Sequence, residues 1–379
     1  MRPTPTLGQP ALFHDPPDRV AAERGRDLPI VGQQADIVYR ALVARTVLNP
    51  PESTGMPYWS LNPYVGCAFG CAYCYARYAH RYLSERRVLR ERGPDVAGTA
   101  GGDTPEDAEP LPPWLAFERR IYVKTNAAEV LRAALGTSGG PVSGRYARLA
   151  RGDSLVIGTA TDPYQPAERH FRVTRGALEA LAERTGLRIV IITKSALISR
   201  DVDILARIAR RSRLTVHLSL ITLDRDLARR IEPRAPTPDA RLRALVRLRE
   251  VGIDVGINVM PVLPGITDQP AGLEALIARV ASLGATHVNV GALRLQSEAR
   301  RRYLPFIEAE FPHLAARYRA TYAGASDLGD RYRAGLARAV RQLCARHRIR
   351  HGRFDEERAP DPAPAAPIDA QLDLLAGPG

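Results

Sequence analysis

Short runs of β-branched and aliphatic residues recur through the middle of this chain. Between them the apolar positions switch to a spacing of three and four. The runs are Leu61–Val65, Ser154–Gly158, Arg188–Thr193, Thr215–Leu220, Asp254–Val259 and His287–Ala292. Most are continuously apolar, the pattern of strands buried on both faces of a parallel sheet. The stretches Thr174–Arg184, Asp201–Arg210, Pro238–Glu250 and Gly272–Ser282 carry the helical period. Alternation of this kind predicts right-handed βαβ units. Periodicity alone leaves open whether six units close into an incomplete barrel or lie as a doubly wound sheet. In both, ligands gather at the carboxyl ends of the strands.

The polar residues interrupting the pattern fall at that end. Leu61–Val65 runs into a loop with Cys67, Cys71 and Cys74, and Ser154–Gly158 into Thr159-Ala160-Thr161-Asp162-Pro163-Tyr164-Gln165. Arg188–Thr193 ends at Lys194-Ser195. The last three strands carry His217 and Ser219, Asn258, and Asn289. One predicted face therefore collects the candidate chemistry.

Outside the alternation the pattern fades. Residues 1–35 are rich in proline and charge and predict a mostly disordered segment. A Gly/Pro/acidic insert over 91–113 predicts a flexible loop within a core spanning 36–295. An Arg/Tyr-rich helical extension follows over 296–353, then a disordered Pro/Ala-rich tail over 354–379. No apolar run approaches the roughly 18–20 residues that span a bilayer. The N-terminal stretch lacks the apolar core of a signal peptide, so a cytoplasmic protein is expected.

Charge changes this picture modestly. Lys and Arg number 54 against 41 Asp and Glu, a net charge of +13, which suits a polyanionic partner. Yet only Lys124 and Lys194 are lysines. Arginine on nearly every basic position fits a GC-rich coding bias and ordinary solvated faces. The two lysines mark places where a compact point charge is wanted.

The cysteines change it more. Apart from Cys344, the chain's thiols are the C-x3-C-x2-C of the loop. In a reducing compartment such clustering favours metal or redox chemistry. Thiolates are soft ligands for iron–sulfur clusters or zinc. Three close thiols leave one coordination position open, with His80 the nearest further ligand. A closed Cys3His zinc site usually draws on two separated pairs, so the spacing favours a cluster with one open iron.

At this point the sequence resembles a known family. CAFGCAYC is similar to the C-x3-C-x-aromatic-C signature of the radical S-adenosylmethionine enzymes, and its place after a first strand fits their partial (β/α)6 TIM-type barrel. The resemblance covers roughly residues 58–295. It implies a [4Fe-4S] cluster on Cys67, Cys71 and Cys74, and S-adenosylmethionine on the fourth iron. One electron, from a reductase such as flavodoxin or ferredoxin, then yields a 5′-deoxyadenosyl radical. Within that superfamily, SLNPYVGCAFGCAYCYAR, HRYL, VKTNAAEVL, GTATDPYQPAE, ITKS, SLITLD, IEPRAPTP and GINVMPVLPGITD resemble the spore photoproduct lyase-like, "DNA repair photolyase" subgroup. This implies Thr161 and Asp162 near the methionine end of the cofactor. It places Lys194 and Ser219 near its carboxylate or ribose, and Tyr73 against its adenine.

One position departs from the subgroup. Its lyases place a hydrogen-donating cysteine where this chain has Thr159, whose O–H bond is too strong for that role. Cys344 reads as a small buried hydrophobe on a helix. Tyr73 and Tyr75 read as packing residues. The expected activity is therefore radical chemistry on a nucleic-acid base, in repair or modification, by a route other than thymine-dimer reversal. Alternatives are the same chemistry on a protein or small metabolite, or a nucleic-acid-binding protein with a structural or redox-sensing metal site. Arg and Tyr repeat through Arg294–Arg353, which predicts a basic, aromatic-studded surface for nucleic acid. Near the end, Gln371-Leu372-Asp373-Leu374-Leu375 resembles the short bacterial sliding-clamp-binding motif.

Overall fold

The computed structural model describes residues 30–34, 36–80, 111–136, 142 and 144–352. Its larger sheet has eight strands. β3 (Leu48–Asn49) pairs antiparallel with β4 (Trp59–Leu61) at one edge. Then follow β7 (Ser154–Ile157), β8 (Arg188–Thr193), β9 (Arg213–Ser219), β10 (Asp254–Val262), β11 (His287–Ala292) and β12 (Arg350–His351), all parallel. From β4 onward the spatial order is the sequence order. A doubly wound sheet needs that order to reverse; here it never does. Right-handed crossovers that always step the same way put their helices on one side, so the sheet is an open barrel wall. The helices between these strands include Val173–Ala182, Val202–Ala209, Pro238–Glu250 and Pro270–Ser282.

A smaller sheet is formed by β1 (Ile30–Gln34), β2 (Ile37–Leu42), β5 (Tyr64–Val65) and β6 (Arg120–Lys124), and it corrects the expectation of one strand at Leu61–Val65. The end of the segment 1–35 is a strand, antiparallel to β2. Leu111 and Pro112 are irregular, and Pro113, the last residue of the insert 91–113, opens a helix spanning Pro113–Arg119. The single strand expected at Leu61–Val65 is two pieces in two sheets. Pro63 lacks the N–H a ladder needs, and the chain crosses there from β4 to β5. Lys124 holds the crossing, its Nζ donating to the Asn62 carbonyl at 2.8 Å. The tail motif Gln371–Leu375 lies outside the described residues.

Along β9, β10 and β11 the apolar phase (Leu214, Val216, Leu218; Val255, Ile257; Val288) belongs to the hydrophobic core. The other phase is polar. At its lower end Thr215 and Thr286 donate to Asp254 at 3.0 and 2.6 Å, Thr286 meets His287 Nδ1 at 2.9 Å, and the Nε2 atoms of His287 and His217 lie 3.0 Å apart. Burial, and next the charge of His287, hold His217 down to about 3; burial holds His80 down to about 4. Unfolding releases both to the ordinary 6.5 or so, and the unfolded chain then binds protons the native chain refuses. This stability is complete above pH 6.5 and falls as pH drops toward 4 and 3. The expected slope is about 1.4 kcal/mol per pH unit for each group. Urea midpoints at pH 7.5 and 5 test this: His217→Gln should flatten the fall, and an unchanged slope would refute the assignment.

The C-terminal helices Ser297–Glu310, Pro312–Tyr322 and Asp330–Arg346 pack back on the barrel, the first against Tyr75–His80 and Pro113–Arg119. The expected aromatic-studded surface is not there. Tyr303, Tyr318, Tyr322 and Tyr332 are all buried, and the last three donate to Pro264 O, Leu293 O and Asp268. Several of the arginines are also engaged. Arg300 holds the Ala325 carbonyl at 2.8 Å, Arg301 pairs with Glu298, and Arg302 reaches Glu118. The pattern that looked like a stacking platform is a tyrosine core under a solvated rim.

Candidate active site

The cysteine loop runs from β5 into a 3-10 turn at Tyr75–His80, and several of its backbone groups are hydrogen-bonded to other elements. The Gly66 carbonyl accepts from Thr161 Oγ1 at 2.5 Å and Gln165 Nε2 at 3.1 Å. Ala68 N donates to Gln165 Oε1 at 2.9 Å, and Ala68 O accepts from Arg234 Nε. Cys67 N and Ala72 N donate to the carbonyls of Phe117 and Ile231, at 2.8 and 3.0 Å. Cys71 O accepts from Arg77 Nη2 at 2.8 Å. Gly66 and Gly70 make the path possible, with φ of 87° and 65°. A Cβ on Gly66 would lie 2.8 Å from Phe117 O, and one on Gly70 would lie 2.3 Å from Arg234 Nη2.

This frame presents three free thiols, Cys67 and Cys71 buried and Cys74 half-buried. Burial pushes the Cys67 thiol up to about 12 and Cys71 well above its usual range. A thiolate here needs a cation beside it or bound to it. His80 does not join them: its Nε2 is hydrogen-bonded to Arg120 O at 2.8 Å. Among the described residues, no three His, Cys, Asp or Glu converge on one metal ion, so the closed Cys3His arrangement is not formed.

The other expected residues lie around the loop. Thr161 is buried, and its hydroxyl is spent on Gly66 O and Gln165. Asp162 accepts from Tyr164 N, Thr193 Oγ1 and Lys194 N at 2.7–2.9 Å, fastening the end of β8; burial, partly offset by these bonds, raises its pKa. Lys194 Nζ sits 5.5 Å from the centroid of the Tyr73 ring. Burial works to lower its pKa, but Cys71, Glu232 and Asp162 outweigh burial and raise it. Ser219, in register with Asn258 on β10, has a hydroxyl with no hydrogen bond among the described residues. Asn289 on β11 donates to Asn258 at 2.9 Å, extending that row.

Sequence reasoning missed a buried network beneath Tyr73. Tyr73 OH donates to Glu232, which pairs with the buried Arg241; Arg241 Nη1 holds the Ser219 carbonyl at 2.9 Å. Burial alone would raise Glu232, but Arg241, Lys194 and Tyr73 hold it below the usual range. One chain of contacts thus joins the cysteine loop to the ends of β8 and β9. Glu232 and Arg234 stand in IEPRAPTP, Gln165 in GTATDPYQP, and those words were the available signal.

A family model described as the radical SAM superfamily matches residues 143–291. An uncharacterized protein of Mycobacterium tuberculosis is 31% identical over 341 residues, 89% of this chain and 88% of the relative. The chain belongs to the radical S-adenosylmethionine superfamily. Its cofactors are therefore a [4Fe-4S] cluster and S-adenosylmethionine. A radical SAM isomerase of Pseudomonas phage M6, named for Nalpha-GlyT, is 27% identical over 234 residues, 60% of this chain and 38% of the relative. A spore photoproduct lyase variant with bound AdoMet and dinucleoside spore photoproduct shares the fold at a TM-score of 0.54, with 15% identity, 83% of this chain and 80% of that one.

The loop of this radical SAM enzyme suits such a centre in its donor set: three free thiols on a fixed frame beside a half-buried lysine. Thr159 is held in place by the Asn62 side chain, with Asn62 Nδ2 at 3.2 Å from its hydroxyl, and its carbonyl accepts from Tyr75 OH. Cys344 is buried and pushed up to about 12 by burial, an inert thiol. No helix among the described residues is long and apolar enough to cross a membrane.

Proposed function

We propose that Cys67, Cys71 and Cys74 hold the [4Fe-4S] cluster of this enzyme, that Tyr73, Thr161, Asp162, Lys194 and Ser219 form the walls of its S-adenosylmethionine site, and that its substrate is a nucleic-acid base. The carrying observation is three free thiols on a loop held through its backbone groups by Thr161, Gln165, Arg77, Arg234 and Phe117, next to the half-buried Lys194. When bound, cluster and S-adenosylmethionine together supply a 5′-deoxyadenosyl radical by one-electron reductive cleavage. The protein's share is binding and orientation. Lys194, steadied on Tyr73, offers a cation to the cofactor carboxylate, and the Ser219 hydroxyl offers a hydrogen bond. Thr161 and Asp162, at the methionine end of that site, also hold the loop and the end of β8 in place. A flavodoxin- or ferredoxin-type reductase is the proposed electron source, and Gln371–Leu375 a proposed sliding-clamp contact.

A nucleic-acid substrate is supported by the net charge of +13 and by the fold shared with a protein whose structure holds a dinucleoside photoproduct. Thr159, locked by Asn62, supports a reaction that returns no hydrogen atom from a thiol at that position. Anaerobic reconstitution tests the reading. It should give about four irons per chain and dithionite-dependent 5′-deoxyadenosine, with DNA or RNA affinity falling steeply between 50 and ~200 mM salt. Zinc in place of iron, or no cleavage, refutes the chemistry. Absence of binding at low salt refutes the substrate class and favours a protein or small metabolite.

A further inference from the structure

Behind the cysteine loop, three guanidiniums share one carboxylate. Glu118, on the helix Pro113–Arg119, is 5% exposed. Arg77 Nη2 lies 2.8 Å from its Oε2, Arg234 Nη2 3.8 Å from the same oxygen, and Arg302 Nε 3.8 Å from Oε1. Arg77 is fully buried, and only 35% and 24% of the Arg234 and Arg302 side chains are exposed. The nearby Arg119 is paired with Asp36, and the pair adds no net charge. On the other flank of the loop, Arg241 pairs with Glu232, and the Lys194 ammonium lies in the field of Glu232 and Asp162. The surroundings of the thiols therefore hold more cations than anions. Half-buried like charges repel, and water screens them weakly there. Burial lowers the pKa of Arg302; Glu118 opposes this, while Arg77, Arg234 and Arg119 add to it. Such crowding is costly unless an anion sits nearby.

The loop is where that anion belongs. Arg77 donates to the carbonyl of Cys71 itself, and Arg234 donates to Ala68 O, between the first two cysteines. We propose that Arg77, Arg234 and Arg302, sharing Glu118, set the reduction potential of the cluster by stabilising the extra negative charge that one-electron reduction adds. This rests on the assignment of the cluster to Cys67, Cys71 and Cys74. The helix Ser297–Glu310, through Arg302, thereby becomes part of the electrostatics of the centre.

Potentiometric titration of the reconstituted full-length protein, followed by the EPR signal of the reduced cluster with dithionite as electron source, tests the proposal. Arg302→Gln removes a positive charge and should shift the midpoint to more negative potential. Glu118→Gln removes the negative charge and should shift it to more positive potential. The expected size is at least tenfold in the reduction equilibrium, ~59 mV for one electron. Arg302→Lys keeps the charge and should restore the wild-type midpoint, which decides the matter even if Glu118→Gln fails to fold. A purely structural role would move both glutamine variants in the same direction or neither, and either result overturns the proposal. A wild-type protein that takes up no cluster overturns the underlying assignment instead.

Discussion

Alanine at Cys67, Cys71 or Cys74 is expected to abolish stable cluster uptake and reductive formation of 5′-deoxyadenosine, each alone, while the chain still folds. The two halves of this result have separate causes. A cubane bound through three thiolates has no spare protein ligand to fall back on, because His80 is committed to the Arg120 carbonyl. The loop, however, is held through Gly66 O, Ala68 N and O, Cys71 O and Ala72 N, none of them a thiol. Removing one sulfur should therefore change apoprotein stability by only about 1 kcal/mol. Iron content, product analysis and a urea curve on each variant check this. Cys344→Ala is the contrast and should keep full iron and full activity. Loss of activity in Cys344→Ala, with iron retained in the loop variants, would reverse the assignment.

Arg241→Met should destabilise the protein by roughly 3–5 kcal/mol, the cost of leaving a buried carboxylate without its partner. Arg241 is 2% exposed and Glu232 likewise. The substitution also strips hydrogen bonds from the carbonyls of Ser219 and Pro236. Adding Glu232→Gln removes the stranded charge and should recover part of the loss, and the double-mutant cycle reads the coupling directly. A loss below about 1 kcal/mol in the single variant would mean that Tyr73 and Lys194 satisfy Glu232 without Arg241.

The barrel was legible because strands covered on both faces leave uninterrupted β-branched runs, as in Arg188–Thr193 and His287–Ala292, whose limits match the structure. The order of those strands was not legible, since periodicity is blind to which neighbour a strand pairs with. The break at Pro63 was misread because Leu61 before it and Tyr64 and Val65 after it suit a strand, although the proline was in view. The cysteines were legible through rarity and spacing. Their support was not: Glu118, Glu232, Arg77, Arg234 and Arg241 sit in an arginine-rich sequence where no single charge stands out. Distant pairs such as Arg77 with Glu118 meet only in the fold. The tyrosines of 296–353 misled for the opposite reason. Helical spacing beside arginine looks alike whether the ring faces solvent or core.

A loop fastened almost wholly by its own backbone has a consequence for how the centre is maintained. In small zinc domains the metal supplies the folding energy, and losing it unfolds the chain. Here the bonds to Thr161, Gln165, Arg77, Arg234 and Phe117 need no metal to form. Loss of the proposed cluster is therefore expected to leave its socket standing, ready to be recharged rather than replaced.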